Sequence, residues 1–195
     1  MYEIGDSHRK MIFTQMKEYG IIKPGHYGAG KLHHVDKQLR PELIFIYPPI
    51  VKSITNVMGK MIENYNVNMI TGPNDKSLLL SSIIAKELTM PFIPTDGYMG
   101  EFGEPQIGVL KNYVDRIKGN RFIIIATIVR EGVEIDQTIS RIREFEGIVR
   151  GVICLWNIGI YKPDECPIAE VIDEKFEVWP EVNCPMCEQG RKMSD

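Results

Sequence analysis

No stretch of the sequence approaches the roughly 20 consecutive apolar residues that span a bilayer, and its 195 residues contain no run of lysine and arginine. The first absence argues against a helical membrane protein. The second, with 23 basic against 26 acidic residues and a formal net charge of −3, gives no support to a nucleic-acid or anionic-membrane surface. Cysteine is sparse, at positions 154, 166, 184 and 187 only. Met1 to Lys10 is polar and no long apolar run follows, so a secretory leader is not expected. The expectation is a cytoplasmic protein with reduced thiols. Internal repeats and low-complexity tracts are also missing. What is present is an ordinary globular composition, 44% hydrophobic and 25% charged. The length suits a single domain over residues 1–195 with a real core.

The most informative stretch runs from Arg121 to Asp136. Phe122 to Ile125 is an apolar, β-branched run, short enough for a strand covered on both faces. Arg130-Glu131-Gly132 reads as a turn. Glu134, Asp136 and Gln137 suit the first turn of a helix whose Ile135, Ile139, Ile142 and Phe145 recur at helical spacing. A second apolar strand follows, Val149 to Trp156. This βαβ unit implies an α/β protein with a mostly parallel sheet and helices on its faces. Ligands bind such sheets at the carboxyl ends of the strands, which places a site at Ala126 to Glu134.

An earlier unit has the same form. Val67 to Ile70 is a short strand, Thr71-Gly-Pro-Asn-Asp-Lys-Ser77 a loop, Leu78 to Leu88 a helix and Pro91 to Pro94 a strand. Ahead of it, Asp6 or Ser7 can cap a helix that ends near Gly20. Ile21 to Leu39 reads as irregular or hairpin-like, and Ile50 to Tyr65 as a helix after Pro48-Pro49. Asp96 to Leu110 carries four glycines and reads as a mobile hood, with Asp96, Glu101 and Glu104 but no lysine or arginine. Phe176 to Trp179 suits an edge strand.

The order of residues from Arg121 to Asp136 resembles the signature of type I phosphoribosyltransferases: a hydrophobic strand, two acids, two hydrophobics, then a Thr/Gly-rich loop opening a helix. The acid pair falls on Ala126 and Thr127, and the loop on Arg130, Glu131, Gly132, Val133 and Glu134, of which only Gly132 matches. Two further matches resemble the orotate branch of that family. Gly25-His26-Tyr27 and Gly30-Lys31 follow its N-terminal segment, and Cys184-Pro-Met-Cys187 with Gly190 follows a bacterial C-terminal ending. The resemblance runs from about Ile21 to Gly190. It implies the type I phosphoribosyltransferase fold, with a small hood from about residues 20–40 and 96–118, a tail over 180–195, and a homodimer.

The resemblance also implies roles. Lys31 would face the base. Gly72, with Asn74, Asp75 and Lys76, would form the pyrophosphate loop. Thr127 and Arg130 to Glu134 would surround the ribose phosphate. Magnesium would accompany a diphosphate ligand, because an acidic hood otherwise repels one. Nothing in the residues assigns a metal ligand firmly. Cys184 and Cys187 are half of a zinc site, which Cys166 and a histidine can complete, or an inert turn that docks the tail. For His26, His33 and His34 a surface or base-stacking role is preferred to a metal.

Phosphoribosyl transfer relies on positioning and electrostatics around a developing sugar cation. Each lost charge-assisted contact costs about 1.5–3 kcal/mol, and this chain departs at the acid pair, the phosphate loop and the hood. The expected function is therefore a divergent protein that binds a nucleotide or related phosphorylated ligand, with standard transfer lost. The alternatives are an enzyme of the same fold acting on a deoxynucleotide or other diphosphate compound, and a transferase with compensating residues.

Overall fold

The computed structural model describes residues 5–29, 32–99, 105–109, 111–159, 161–164, 166–174 and 176–194. At its centre, the apolar run around Ile123 extends into strand β6 (Arg121–Val129), and the next run forms β7 (Ile148–Asn157). They pair in parallel and are flanked by β3 (Met69–Thr71) and β8 (Ile168–Ile172), in the order β3-β6-β7-β8.

Side chains alternate across a strand, and here the alternation divides the core in two. Ile123, Ile125, Ile153 and Leu155 face one cluster, built with helices α1 (Asp6–Glu18), α2 (Pro48–Ile62) and α3 (Asp75–Leu88). Phe122, Ile124, Ala126, Val152 and Cys154 face another, closed by α4 (Val133–Glu144). The sheet is thus covered on both sides, which explains why its strands are continuous apolar runs.

The N-terminal segment is the expected hairpin, β1 (Ile22–Ala29) against β2 (His33–Leu39), with an irregularity between Pro24 and Tyr27. Strand β9 (Val178–Pro180) is an edge strand of this smaller sheet, pairing antiparallel with β2. A separate two-stranded hairpin, β4 (Asp96–Met99) and β5 (Pro105–Gly108), occupies the expected hood segment. The chain ends in a short turn of helix, α5 (Pro185–Glu188).

Three sequence expectations need correction. Helix α1 begins at Asp6 with Gly5 as its N-cap and has no side-chain cap bond, so neither Asp6 nor Ser7 caps it. Pro91 to Pro94 is not a strand: Phe92 makes one parallel bridge to Ile70. Strand β8 (Ile168–Ile172) forms where the sequence reading places no element. Among the described residues no helix is long and apolar enough to cross a membrane.

Trp156 locks the first cluster. It is fully buried, with Phe13 and Phe176 edge-on at 5.6 and 5.9 Å, and its indole N–H donates to Glu174 O at 2.8 Å. Trp156→Ala is expected to cost about 3–5 kcal/mol in urea unfolding. The half-exposed Ile148→Ala should cost about 0.5 kcal/mol or less. A small effect at Trp156 would show that the aromatic cluster is not what secures β7.

Candidate functional site

The carboxyl ends of β3 and β6 lead through tight turns into α3 and α4. Between them lies an open cleft of about 930 Å³. Its floor is Ala126 to Gly132, its walls are Pro73 to Lys76 and Val133 to Ile135, and Gly97, Tyr98, Gln106 and Ile107 of the hairpin β4–β5 form its rim. Leu39 and Pro41, at the end of β2, close the remaining side. Two helix N-termini therefore open on one space. Their first-turn N–H groups lack intrahelical acceptors and carry partial positive charge, which suits an anion.

The first turn is braced by hydrogen bonds. Asn74 caps α3, its Oδ1 accepting from Ser77 N at 3.2 Å. Its side-chain amide also donates to Glu134, joining the starts of α3 and α4. Ser77 Oγ accepts from Thr127 N at 3.2 Å and lies 3.5 Å from Thr127 Oγ1. Thr95 Oγ1 donates to Gly72 O at 2.6 Å. A Cβ on Gly72 would fall 2.7–2.9 Å from Ser81 Oγ and the Ser77 backbone, so glycine lets this turn lie directly against α3.

The second turn depends on Gly132. Its φ of +77° is in the left-handed region, and a Cβ there would lie 2.2 Å from the Tyr161 ring. The segment after β7 crosses the turn, with Ile158 N donating to Val129 O at 2.9 Å. Tyr161 donates its phenol to Asp136 Oδ1, and its own carbonyl accepts from Asn157 Nδ2 at 2.9 Å. Burial, with Asp136 accepting the phenol proton, pushes the Tyr161 pKa far above its ordinary value, so the hydroxyl remains a donor at any physiological pH.

Thr127, Arg130, Glu131, Gly132, Val133, Glu134, Asn74, Asp75 and Lys76 all line the cleft. Gly72 is buried behind it and supports the turn. The base-facing role of Lys31, and the acids Glu101 and Glu104, lie outside the described residues. Among the lining residues, Asp75, Glu131 and Glu134 outnumber the cations Lys76 and Arg130. At the acid-pair positions, Ala126 is 2% and Thr127 3% exposed. Neither supplies a carboxylate.

Sequence reasoning missed Tyr161, Gln137 and the rim residues Tyr98 and Gln106. The parallel topology held a signal for Tyr161, because the segment leaving β7 must emerge at the same sheet end as the two turns. The rim is held by Arg141 on α4, whose guanidinium donates to Ile107 O at 3.4 Å and Tyr98 OH at 3.3 Å. Cys184 and Cys187 are not in the cleft; they lie against His26 and His34 of the hairpin β1–β2. His26 is only 3% exposed, which excludes the surface role considered for it, while His33 is exposed.

Gly132→Ala should destabilise the protein by more than Gly119→Ala. Gly119 has a similar φ of +71° but open space around its Cβ position, so its substitution should cost only the left-handed strain of about 1–2 kcal/mol. Chemical unfolding compares the two. Adding Tyr161→Ala to Gly132→Ala should recover part of the loss, and no recovery would show that the tyrosine does not press on the turn.

No protein-family model matches the chain. Orotate phosphoribosyltransferase of Caldanaerobacter subterraneus is 22% identical over 185 residues, covering 93% of each chain. The enzyme of that name from Campylobacter jejuni is 24% identical over 192 residues, 90% of this chain and 92% of its own. Among solved structures, adenine phosphoribosyltransferase of Thermoanaerobacter pseudethanolicus superposes with a TM-score of 0.64 at 19% identity, covering 82% of this chain and 98% of its own. Orotate phosphoribosyltransferase of Aeropyrum pernix gives 0.62 at 13% identity, covering 83% and 93%.

Proposed function

We propose that the chain, similar over about nine-tenths of its length to orotate phosphoribosyltransferases and alike in fold to solved phosphoribosyltransferases, is a type I phosphoribosyltransferase relative that binds a nucleotide or a related phosphorylated ligand in the cleft over Gly132 and has lost standard transfer from phosphoribosyl pyrophosphate. The observation that carries this reading is the state of Ala126 and Thr127. Alanine has no polar group to offer a ribose diol. The Thr127 hydroxyl lies beside Ser77 Oγ, which also accepts the Thr127 N–H.

The rest of the cleft still suits a phosphate. The two helix N-termini favour an anion, and Lys76 and Arg130, both exposed, can reach one placed between them. Arginine offers a planar fork that matches phosphate oxygens, and lysine a flexible point charge. Asp75, Glu131 and Glu134 are oxygen donors of the kind magnesium takes. With a diphosphate bound, magnesium would offset their repulsion. The hairpin β4–β5 and the end of β2 would surround the remainder of the ligand. The reading also includes a homodimer in the cytoplasm.

A second reading has its own support in the same residues. A site without the anions that grip a diol, yet with Arg130 and three carboxylates, fits an enzyme acting on a deoxynucleotide or another diphosphate compound. In that case Arg130 binds a phosphate, and Glu131 or Glu134 binds the metal or takes a proton.

Calorimetry with phosphoribosyl pyrophosphate and magnesium, beside a panel of nucleotides and deoxynucleotides, separates the two. The expected result is nucleotide binding without pyrophosphate release when orotate or another base is added. Lys76→Ala and Arg130→Ala should each weaken binding about tenfold or more, as loss of a charge-assisted contact implies. Release of pyrophosphate from the ribosyl substrate would overturn the first reading. Turnover confined to a deoxy or non-sugar diphosphate would establish the second.

A further inference from the structure

Among the described residues, two histidines and two cysteines from segments more than 140 residues apart in sequence meet beside the small sheet. His26 is on β1 and His34 on β2. Cys184 precedes α5, and Cys187 lies within it. The ligand atoms of all four lie within 4.8 Å of one another. His26 Nε2 is 2.9 Å from His34 Nδ1, 3.6 Å from Cys184 Sγ and 3.6 Å from Cys187 Sγ, while Cys187 Sγ is 3.2 Å from His34 Nδ1.

We propose that His26, His34, Cys184 and Cys187 form a structural zinc site that clamps the C-terminal tail to the hairpin β1–β2. Zinc bonds of about 2.3 Å to sulfur and 2.0–2.1 Å to nitrogen, at tetrahedral angles, separate the donors by about 3.4 Å for N–N, 3.6 Å for N–S and 3.8 Å for S–S. The two His26–cysteine separations of 3.6 Å match, the 2.9 and 3.2 Å contacts of His34 Nδ1 are shorter by about half an ångström or less, and every pair lies within 4.8 Å. Two cysteines and two histidines, with no carboxylate among them, are a set that zinc takes in closed four-coordinate sites.

Hydrogen bonding alone does not explain the cluster. His26 Nδ1 lies 2.9 Å from Arg191 O, an acceptor only, so Nδ1 carries the proton. Nε2 then offers one position, a lone pair or a proton, for a hydrogen bond. It faces His34 Nδ1 and two sulfurs at once, and one position cannot serve three neighbours. A cation at their centre resolves this, since it accepts a lone pair from every member. The same Nδ1–carbonyl bond is the outer contact that orients a metal-binding histidine and fixes its tautomer. Cys184 is fully buried and His26 nearly so, which shields the site on one side.

The surrounding backbone is built for it. The register pairs His34 with Trp179 and His33 with Pro180, which brings the tail back beside the hairpin. After Cys184 the chain turns tightly, with Glu188 N donating to Cys184 O at 3.1 Å, Gly190 N to Cys187 O at 2.9 Å and Arg191 N to Met186 O at 2.9 Å. Beyond the turn, Ser194 N donates to His26 O at 2.7 Å, and His26 N donates to Ser194 Oγ at 3.1 Å. Cys166, the third cysteine the sequence offered, packs against the other core cluster, and His33 is exposed; neither belongs to the set.

Protein made in zinc-supplemented medium and purified without chelator should contain about one zinc per chain by elemental mass spectrometry, as one four-ligand site requires. Cobalt added to metal-stripped protein should give the intense visible bands of tetrahedral sulfur–nitrogen coordination. Cys184→Ser, Cys187→Ser, His26→Ala and His34→Ala should lower the zinc content and alter the cobalt spectrum, whereas Cys166→Ser and His33→Ala should change neither. Stripping the metal should also lower the Tm of the wild-type protein. Wild-type protein with no bound zinc and no tetrahedral cobalt spectrum would overturn the proposal even if every ligand variant failed to fold. So would a Cys184–Cys187 disulfide in protein purified under reducing conditions, or loss of the metal in Cys166→Ser.

Discussion

Burial of β6 on both faces is the constraint from which the rest of the structure follows. Phe122 through Thr127 are all buried, so each residue is committed to one layer of helices or the other. Ile123 and Ile125 require α2 and α3 beneath them; Phe122 and Ile124 require α4 above. Removing that much apolar surface from water is favourable by roughly 25 cal/mol per Å², and it can be achieved only if the chain crosses the sheet between parallel strands. The crossovers in turn place every strand-to-helix turn at one end of the sheet. The cleft is a consequence of how the core is buried.

At that end the electrostatics have two sources that oppose each other. The α3 and α4 N-termini bring partial positive charge, fixed by the backbone. Side chains bring Asp75, Glu131 and Glu134 against Lys76 and Arg130. Glu134 is partly occupied, because it accepts from the Asn74 amide and so ties the two turns together. This leaves Asp75 and Glu131 as the side-chain charges most opposed to an anionic ligand. Such a cleft tolerates a phosphate where backbone N–H groups point at it, and resists a second phosphate unless a cation comes with it.

The sequence revealed those parts of the fold governed by long apolar runs. β6 and β7 follow from the apolar runs Phe122–Ile125 and Val152–Trp156, α4 from Ile135, Ile139 and Ile142 at helical spacing, and the turn at Gly132 from a glycine directly after Arg130 and Glu131. β8 was hidden because Glu170 interrupts Ile168 to Ile172. Its carboxylate is satisfied only in three dimensions, accepting from Asn157 N at 3.2 Å, and burial raises its pKa. Pro91 to Pro94 misled in the opposite sense, since flanking prolines leave room for a single bridge at Phe92. Within the site, the lining residues close to Gly132 and Gly72 were legible because they are adjacent in sequence. Tyr98, Gln106 and Tyr161 were not, because hairpin docking and the path after β7 decide their places. The partners of Cys184 and Cys187 were hidden for the same reason: pairing of β2 with both β1 and β9 is what brings His26 and His34 to them.

At Ala126 and Thr127 the side chains of the cleft floor are tied into the packing of β6. Ala126 pairs in register with Cys154 and belongs to the apolar cluster under α4, among Ile135 and Ile139. Cys154 is itself so deeply buried that its thiol pKa is pushed up. A carboxylate at 126 would have to emerge into the cleft or lose its hydration among these groups, and an unpaired buried charge costs several kcal/mol. The neighbouring Thr127 N–H, with Ser77 Oγ as its acceptor, helps hold β6 against α3. The two positions that would grip a diol are thus integrated, one into the core and the other into the brace between strand and helix. A charge placed at either position would act against the packing that holds both turns in place.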